Sequence, residues 1–136
     1  MINFVLFDLD NTLVDSTHLK SLRNARTWRE VYRRIESIEL FDGVLNMWKA
    51  LQQHGVHLGV VTHSPRPYAE RVLRHVALAP DVLVGYHDLH GNRKPSPYGY
   101  QRCCDGRPSD GGAAVGDERN DLLAADAFGC AGIVTG

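Results

Sequence analysis

The fold is decided by the stretch Phe7-Asp8-Leu9-Asp10-Asn11-Thr12-Leu13-Val14-Asp15, which directly follows the apolar residues 2–6. The apolar run predicts a buried strand, and its end delivers two carboxylates that stand two residues apart. Because alternate residues of an extended strand point to the same side, Asp8 and Asp10 are expected to start on one side of the chain. Two nearby carboxylates repel each other, so the pair is costly unless a cation or a proton lies between them. A D-x-D sequence alone is also compatible with a strand end capped by polar residues.

Length and composition are those of a single globular domain. The chain has 136 residues, enough for one domain over residues 1–136 with a real core. A net charge of −1 gives no indication of nucleic acid or an acidic membrane surface as partner. No apolar run of about 18 residues and no signal peptide is found, so no membrane segment is predicted. The three cysteines do not form the pattern of a disulfide framework, which favours a reduced, cytoplasmic setting. They also lack the spacing of zinc ligands, so zinc is not expected.

Strands and helices alternate along the chain. Runs of apolar or small residues predict strands over residues 2–7, 56–62, 82–86, 112–116 and 131–135. Helices are predicted over residues 18–40, 43–53, 65–78, 98–104 and 120–128. Strands separated by helices favour an α/β fold, a three-layer Rossmann-like domain in which helices cover both faces of a parallel five-stranded sheet.

The residues that can do chemistry follow the predicted strands. In a doubly wound sheet, ligands bind outside the carboxyl ends of the strands. Asp8 and Asp10 follow the first strand, and the next three strands are followed by Thr62-His63-Ser64, His87-Asp88 and Gly116-Asp117-Glu118. We therefore expect these side chains to gather at one edge of the sheet, although they lie far apart in sequence.

Four motifs in this order resemble those of the haloacid dehalogenase (HAD) superfamily. They are Asp8-Leu9-Asp10-Asn11-Thr12-Leu13, then Thr62, then Lys94-Pro95-Ser96-Pro97, and finally Gly116-Asp117 with Asp121 four residues later. The resemblance covers residues 3–136, and one motif alone would be far less specific than four in order. It implies a HAD-type phosphatase that works through an aspartyl-phosphate, because phosphatases of the superfamily carry an acid where Asp10 stands.

The resemblance implies a Mg²⁺-dependent reaction at Asp8. A carboxylate attacks a phosphate dianion poorly because both are negative, and a bound Mg²⁺ removes much of that repulsion. Asp8, Asp117 and the backbone carbonyl of Asp10 would hold the ion, and Asp121 behind them would fix a lysine or a metal-bound water. Asp8 would attack phosphorus, while Asp10 would protonate the leaving alkoxide and then deprotonate the attacking water.

Phosphate binding is assigned by the same resemblance to Thr62 and Lys94, which would hold the phosphoryl oxygens and balance the developing charge. His63 either contacts the substrate beside them or is a hydrogen-bonded loop histidine. Each residue also has an ordinary structural interpretation, with Thr62 as a strand residue, Lys94 as a solvated loop lysine and Asp10 as a turn former.

Much of the superfamily carries a cap domain where this chain has only residues 16–41. This is room for a short helical cap insert of one helix and its turns, so we expect an open site. An open site suits a large phosphorylated substrate, or a small one bound within a homo-oligomer. The insert is basic on one side, which fits either a solvated face or a positive rim that steers phosphorylated substrates. Its cations are Lys20, Arg23, Arg26, Arg29, Arg33 and Arg34.

Three functions are compatible with these residues. The first is a Mg²⁺-dependent phosphatase that hydrolyses a phosphomonoester. The alternatives are a catalytically weak binding or regulatory module of the same fold, and a phosphotransferase that passes the phosphoryl group to an acceptor other than water. Product analysis with and without candidate acceptors separates the transferase from the hydrolase.

Overall fold

Two sheets are formed by the strands in the computed structural model of the protein, which describes residues 2–135. Along the chain the strands are β1 (Phe4–Phe7), β2 (Val14–Asp15), β3 (Glu39–Leu40), β4 (His57–Val61), β5 (Val82–Val84), β6 (Gly112–Gly116) and β7 (Ala131–Val134). The larger sheet has the order β5-β4-β1-β6-β7, and every neighbouring pair in it is parallel. The predicted parallel five-stranded sheet is therefore confirmed.

Helices connect the successive parallel strands, as strands of one direction require. In chain order they are α1 (Lys20–Asn24), α2 (Trp28–Arg33), α3 (Val44–Gln53), α4 (Arg66–His75), α5 (Tyr98–Cys103) and α6 (Arg119–Phe128). Gly43 before α3 and Gly129 after α6 have φ angles of 83° and 96°, which favour glycine. These two residues explain why α3 begins and α6 ends close to the predicted bounds.

Alternating side chains of β1 contribute to two cores, one on each face of the sheet. Val5 and Phe7 pack with Trp48 of α3 and with the insert. Phe4 and Leu6 point to the opposite face and pack with residues of α5 and α6. Both faces of the sheet are thus covered, which confirms the three-layer arrangement.

The insert, residues 16–41, contains two short helices where the apolar spacing predicted one. A 3₁₀ turn over Thr17–Leu19 precedes α1, and another over Ile35–Ser37 follows α2. The single helix is broken because Arg26 adopts a left-handed φ of 58° and Thr27 Oγ1 donates to the carbonyl oxygen of Leu22. Three apolar residues of the insert, Val31, Ile35 and Ile38, are nevertheless buried in the same core as Phe7.

The short strands β2 and β3 close the base of the insert, a pairing that the sequence did not predict. They run antiparallel, with Val14 opposite Leu40 and Asp15 opposite Glu39. Just beyond them, the N–H of Phe41 donates to the carbonyl oxygen of Leu13 at 3.1 Å. Both ends of the insert are therefore fixed beside the carboxyl end of β1.

Two further expectations concern membranes and cysteines. Within residues 2–135, no helix has the length and apolar character needed to cross a membrane. Cys103, Cys104 and Cys130 are buried free thiols.

Candidate active site

The carboxyl ends of β1, β4 and β6 open into one cavity of about 140 Å³. The loop before α5 and the insert helix α1 complete its wall. All the site residues predicted from the sequence line this cavity, namely Asp8, Asp10, Thr62, His63, Lys94, Asp117 and Asp121. The expected gathering at one edge of the sheet is therefore confirmed for β1, β4 and β6. After β5, by contrast, Asp88 forms an ion pair with Arg66 at 3.0 Å and does not line the cavity.

Lys94 is the buried cation of the cavity, with only 5% of its side chain exposed. Its Nζ lies 2.6 Å from Oδ1 of Asp121 and 3.3 Å from Oδ1 of Asp8, and donates to the carbonyl oxygen of Val61 at 3.0 Å. Burial works to lower the pKa of Lys94, but the charges of Asp8 and Asp121 more than offset it and raise this pKa above its usual value. The amine therefore stays charged, and Lys94 is not a solvated loop lysine.

The carboxyl group of Asp8 lies in surroundings that favour its neutral form. Burial raises the pKa of Asp8 to about 7, although the charge of Lys94 opposes the change. Oxygens of Asp8, Asp117 and Asp121 lie within 4.8 Å of one another. Carboxylate oxygens are the ligands that Mg²⁺ prefers, and a divalent cation would relieve the repulsion among them. The residues present therefore fit a Mg²⁺ ion.

Four donors hold the side chain of Asp10. Its Oδ1 accepts hydrogen bonds from Ser16 Oγ and from the hydroxyl of Tyr68, both at 2.7 Å. Its Oδ2 accepts from Ser64 Oγ at 2.9 Å and lies 3.2 Å from Nη1 of Arg23. The Asp10 side chain thus lies outside the carboxylate cluster, which leaves its backbone carbonyl for the metal-binding role that the resemblance implies. That role stays a prediction.

Sequence reasoning did not find the partners of Asp10. Ser16 stands at the N-cap position of the first 3₁₀ turn, makes no side-chain cap hydrogen bond and donates to Asp10. Tyr68 is 58 residues away and fully buried in α4, where its spacing is that of an ordinary core residue. Arg23 is one of several cations in the insert. No local pattern marks these residues, because Tyr68 reaches Asp10 through the pairing of β1 with β4, and Ser16 and Arg23 reach it through the folding of the insert.

Thr62 and His63 extend from the end of β4 into the cavity wall. The buried Thr62 Oγ1 accepts the backbone N–H of Ser64 at 3.0 Å. His63 Nε2 accepts the backbone N–H of Lys94 at 3.0 Å. Burial, helped by the charges of Lys94 and Arg93, lowers the pKa of His63 to about 4, so the ring is neutral near pH 7. The geometry supports the interpretation of His63 as a hydrogen-bonded loop histidine. Its contact with phosphate stays a prediction.

Gly116 allows Asp121 to reach the cavity. A Cβ atom on Gly116 would overlap the carboxylate of Asp121. Asp121 Oδ2 also accepts the backbone N–H of Glu118 at 3.1 Å and so caps α6. The G-D-x-x-x-D spacing therefore has a physical reason, because the first turn of α6 returns Asp121 over the last residue of β6.

A Rossmann-like sheet with an aspartate pair and a buried lysine at its carboxyl edge defines a HAD-like hydrolase. Residues 19–135 match the haloacid dehalogenase-like hydrolase family. The chain is 35% identical to phosphoglycolate phosphatase of Escherichia coli strain K12 over 70% of its own length and 39% of that protein. It is 26% identical to validoxylamine A 7′-phosphate phosphatase of Streptomyces hygroscopicus subsp. limoneus, over 99% of the chain and 87% of that protein. The chain belongs to the haloacid dehalogenase-like hydrolase family.

Solved structures share this fold over nearly the whole chain. CbbY from Rhodobacter sphaeroides, in complex with phosphate, has a TM-score of 0.84 at 22% identity, covering 99% of this chain and 86% of that one. A HAD phosphatase from Thermococcus onnurineus has a TM-score of 0.84 at 19% identity, with the same coverage. The chain spans 39% of the Escherichia coli phosphatase, and its alignment with the Streptomyces phosphatase extends over 190 residues. Since this chain has 136 residues, the Streptomyces relative carries insertions that it lacks.

Proposed function

We propose that the chain is a Mg²⁺-dependent phosphatase that hydrolyses a phosphomonoester through an aspartyl-phosphate on Asp8. The observation that carries the proposal is the carboxylate cluster of Asp8, Asp117 and Asp121, two of whose members bind the buried amine of Lys94. A nucleophilic carboxylate, a cation site and a fixed positive charge are the parts that phosphoryl transfer needs. Relatives named as phosphatases support the same reaction class.

The cation site would be formed by Asp8 and Asp117, together with the backbone carbonyl of Asp10. When bound, Mg²⁺ offsets the repulsion between the Asp8 carboxylate and the phosphate dianion. A bound cation would lower the pKa of Asp8 from about 7 and so favour the charged carboxylate at neutral pH. Asp121 already accepts hydrogen bonds from Lys94 and from the N–H of Glu118, which favours a role in positioning the lysine.

The reaction takes place in two steps. In the first, an Asp8 oxygen forms a bond to phosphorus, the ester P–O bond breaks, and the leaving oxygen takes a proton from Asp10. In the second, water attacks the aspartyl-phosphate and gives a proton to Asp10, and inorganic phosphate leaves. Lys94 and Thr62 stabilise the charge on the phosphoryl oxygens during both steps. The four donors around Asp10 restrict its motion and hold it beside the cavity.

The substrate we propose is a small phosphomonoester. A cavity of about 140 Å³ suits a phosphoryl group with a short leaving group. The first compound to test is 2-phosphoglycolate, because a relative with 35% identity is named for it. Action on a phosphorylated macromolecule, completion of the pocket in a homo-oligomer and a cytoplasmic location are further proposals.

Phosphate release from a panel of phosphomonoesters, including p-nitrophenyl phosphate, tests the proposal with Mg²⁺ and with a chelator. Turnover should require Mg²⁺ and should fall by at least about 10³-fold in Asp8→Asn, which lacks the nucleophile. Asp126→Asn makes the same change at an exposed position of α6 and should keep the activity.

Two other results would contradict parts of this proposal. Transfer of phosphate to added alcohols in place of water would indicate the phosphotransferase. A folded protein that binds Mg²⁺ and turns over no compound of the panel would favour the binding or regulatory module.

A further inference from the structure

Two cations of the insert line the active-site cavity from helix α1, namely Lys20 and Arg23. Three other cations of the insert line a separate surface groove, namely Arg26, Arg29 and Arg33. We propose that Lys20 and Arg23 form a subsite for a second anionic group of the substrate, a carboxylate or a further phosphate. This group would belong to the part that leaves with the ester oxygen. The inference rests on the proposed function and names its substrate class.

Arg23 lies beside the residue that would protonate the leaving group. Its Nη1 is 3.2 Å from Oδ2 of Asp10, the residue that protonates the leaving oxygen in the proposed reaction. Its Nη2 donates to Ser16 Oγ at 3.4 Å, and its guanidinium carbon is 5.7 Å from the ring centroid of Tyr68. These contacts fix the guanidinium beside Asp10, so a group attached to the leaving oxygen would come close to it.

Arg23 lies on the side of the cavity away from the acidic residues that follow β6. Asp117 and Glu118 follow β6, on one side of β1. Ser64 and Tyr68 follow β4, on the other side of β1, and their hydrogen bonds to Asp10 place its carboxylate on that side. Arg23 contacts the same carboxylate, so this cation and the proposed acid lie on the same side of the cavity. Together with Lys20 it favours an anionic leaving group there over a cationic one.

Arg23 has hydrogen-bonding capacity that its contacts do not use. Its side chain lines the cavity and is 13% exposed, with Nη1 next to Asp10 and Nη2 next to Ser16. A guanidinium carries five N–H donors, so its terminal nitrogens can bind a further anion while the contact with Asp10 is kept. A substrate carboxylate or phosphate would supply that anion.

Lys20 complements Arg23 from the mouth of the cavity. It stands three residues before Arg23 on α1, a spacing that places both side chains on one face of a helix. Lys20 is exposed, so its amine can reach an anion without a cost in buried charge. Together the two residues offer one fixed and one flexible donor to the same group.

Two phosphomonoesters of similar size test the subsite. In 2-phosphoglycolate the phosphorylated CH₂ carries a carboxylate, and in 2-hydroxyethyl phosphate it carries a CH₂OH group. The ratio of their kcat/KM values should favour 2-phosphoglycolate by about tenfold or more, the size expected for one charge-assisted hydrogen bond. Lys20→Met and Arg23→Gln should each lower this ratio. In Lys20→Met the ratio should fall because the KM for 2-phosphoglycolate rises. Arg29→Met removes an insert cation outside the cavity and should leave the ratio unchanged.

The outcomes separate this inference from the proposed function. A wild-type ratio near one, or a ratio that neither variant changes, overturns the subsite while the phosphatase stands. If the protein turns over no phosphomonoester, the proposed function fails, and calorimetric binding of the two compounds to the folded protein still decides the inference. Equal affinity for both compounds would overturn it. Because Lys20 is exposed, Lys20→Met gives an answer even if Arg23→Gln does not fold.

Discussion

Replacement of Asp8 by asparagine should stabilise the metal-free protein while it removes the activity. The amide keeps the shape of the side chain, and its oxygen can still accept a hydrogen bond from Lys94, whose Nζ is 3.3 Å from Oδ1. The change removes a carboxyl group whose pKa burial raises to about 7. The substitution therefore measures how much the charge of the Asp8 carboxylate lowers the free energy of unfolding.

The size of the effect follows from the shift in the pKa of Asp8, from its ordinary 3.8 to about 7. At 1.36 kcal/mol per pKa unit the shift corresponds to about 4 kcal/mol at most. Since 16% of the side chain is exposed, solvent screens part of this, and we expect a gain of about 2 kcal/mol in the free energy of unfolding. Below pH 4 Asp8 is protonated in both the folded and the unfolded protein, so its raised pKa does not lower the stability. Above pH 7 it is charged in both, and the full loss of stability is present. The gain should therefore grow between these two values.

Urea unfolding of wild type and Asp8→Asn in a chelator, at pH 4.5 and pH 8, measures the gain. Added Mg²⁺ should raise the Tm of the wild type, because the ion binds the folded state, and should raise that of Asp8→Asn much less. An asparagine variant less stable than wild type at pH 8 without metal would refute the reasoning. So would an equal response of both proteins to Mg²⁺.

Two further predictions concern the support of the site. Gly116→Ala should displace Asp121, because the added Cβ overlaps its carboxylate, and should cost about 1–3 kcal/mol of stability. Thermal unfolding with and without Mg²⁺ should show a reduced metal response, and an unchanged response would contradict the prediction. His63→Gln should flatten the dependence of stability on pH. The pKa of His63 is lower in the folded protein, about 4, than in the unfolded chain, so protonation favours unfolding. The free energy of unfolding of the wild type should therefore fall by about 1–2 kcal/mol between pH 6.5 and pH 4, allowing for partial exposure of the ring. Urea unfolding over this pH range tests it, with the exposed His87→Gln as control, and equal slopes in the two variants would contradict it.

The topology and most of the lining of the cavity follow from the sequence. Apolar runs separated by helical spacing predict parallel strands, and parallel strands place the residues that follow them at one edge. Asp8, Thr62 and Asp117 could be selected in this way because each stands directly after a strand. Lys94 lies in a loop, and its selection depended on the family motif rather than on a strand end.

The surroundings of Asp10 and the form of the insert were decided by the tertiary structure. Tyr68 has the spacing of a core residue, and its hydroxyl meets Asp10 because β4 lies next to β1 and α4 packs against the insert. Arg26 breaks the predicted helix, and Arg23, in the first of the two helices, lines the cavity instead of a solvated face.

The residues that end the strands, and the chemistry they carry, can be read from the sequence, because strand and helix periods and the HAD motifs are local patterns. The donors around Asp10 and the insert cations that line the cavity depend on the packed structure. Those contacts join residues from separate elements, and their geometry depends on how the elements pack.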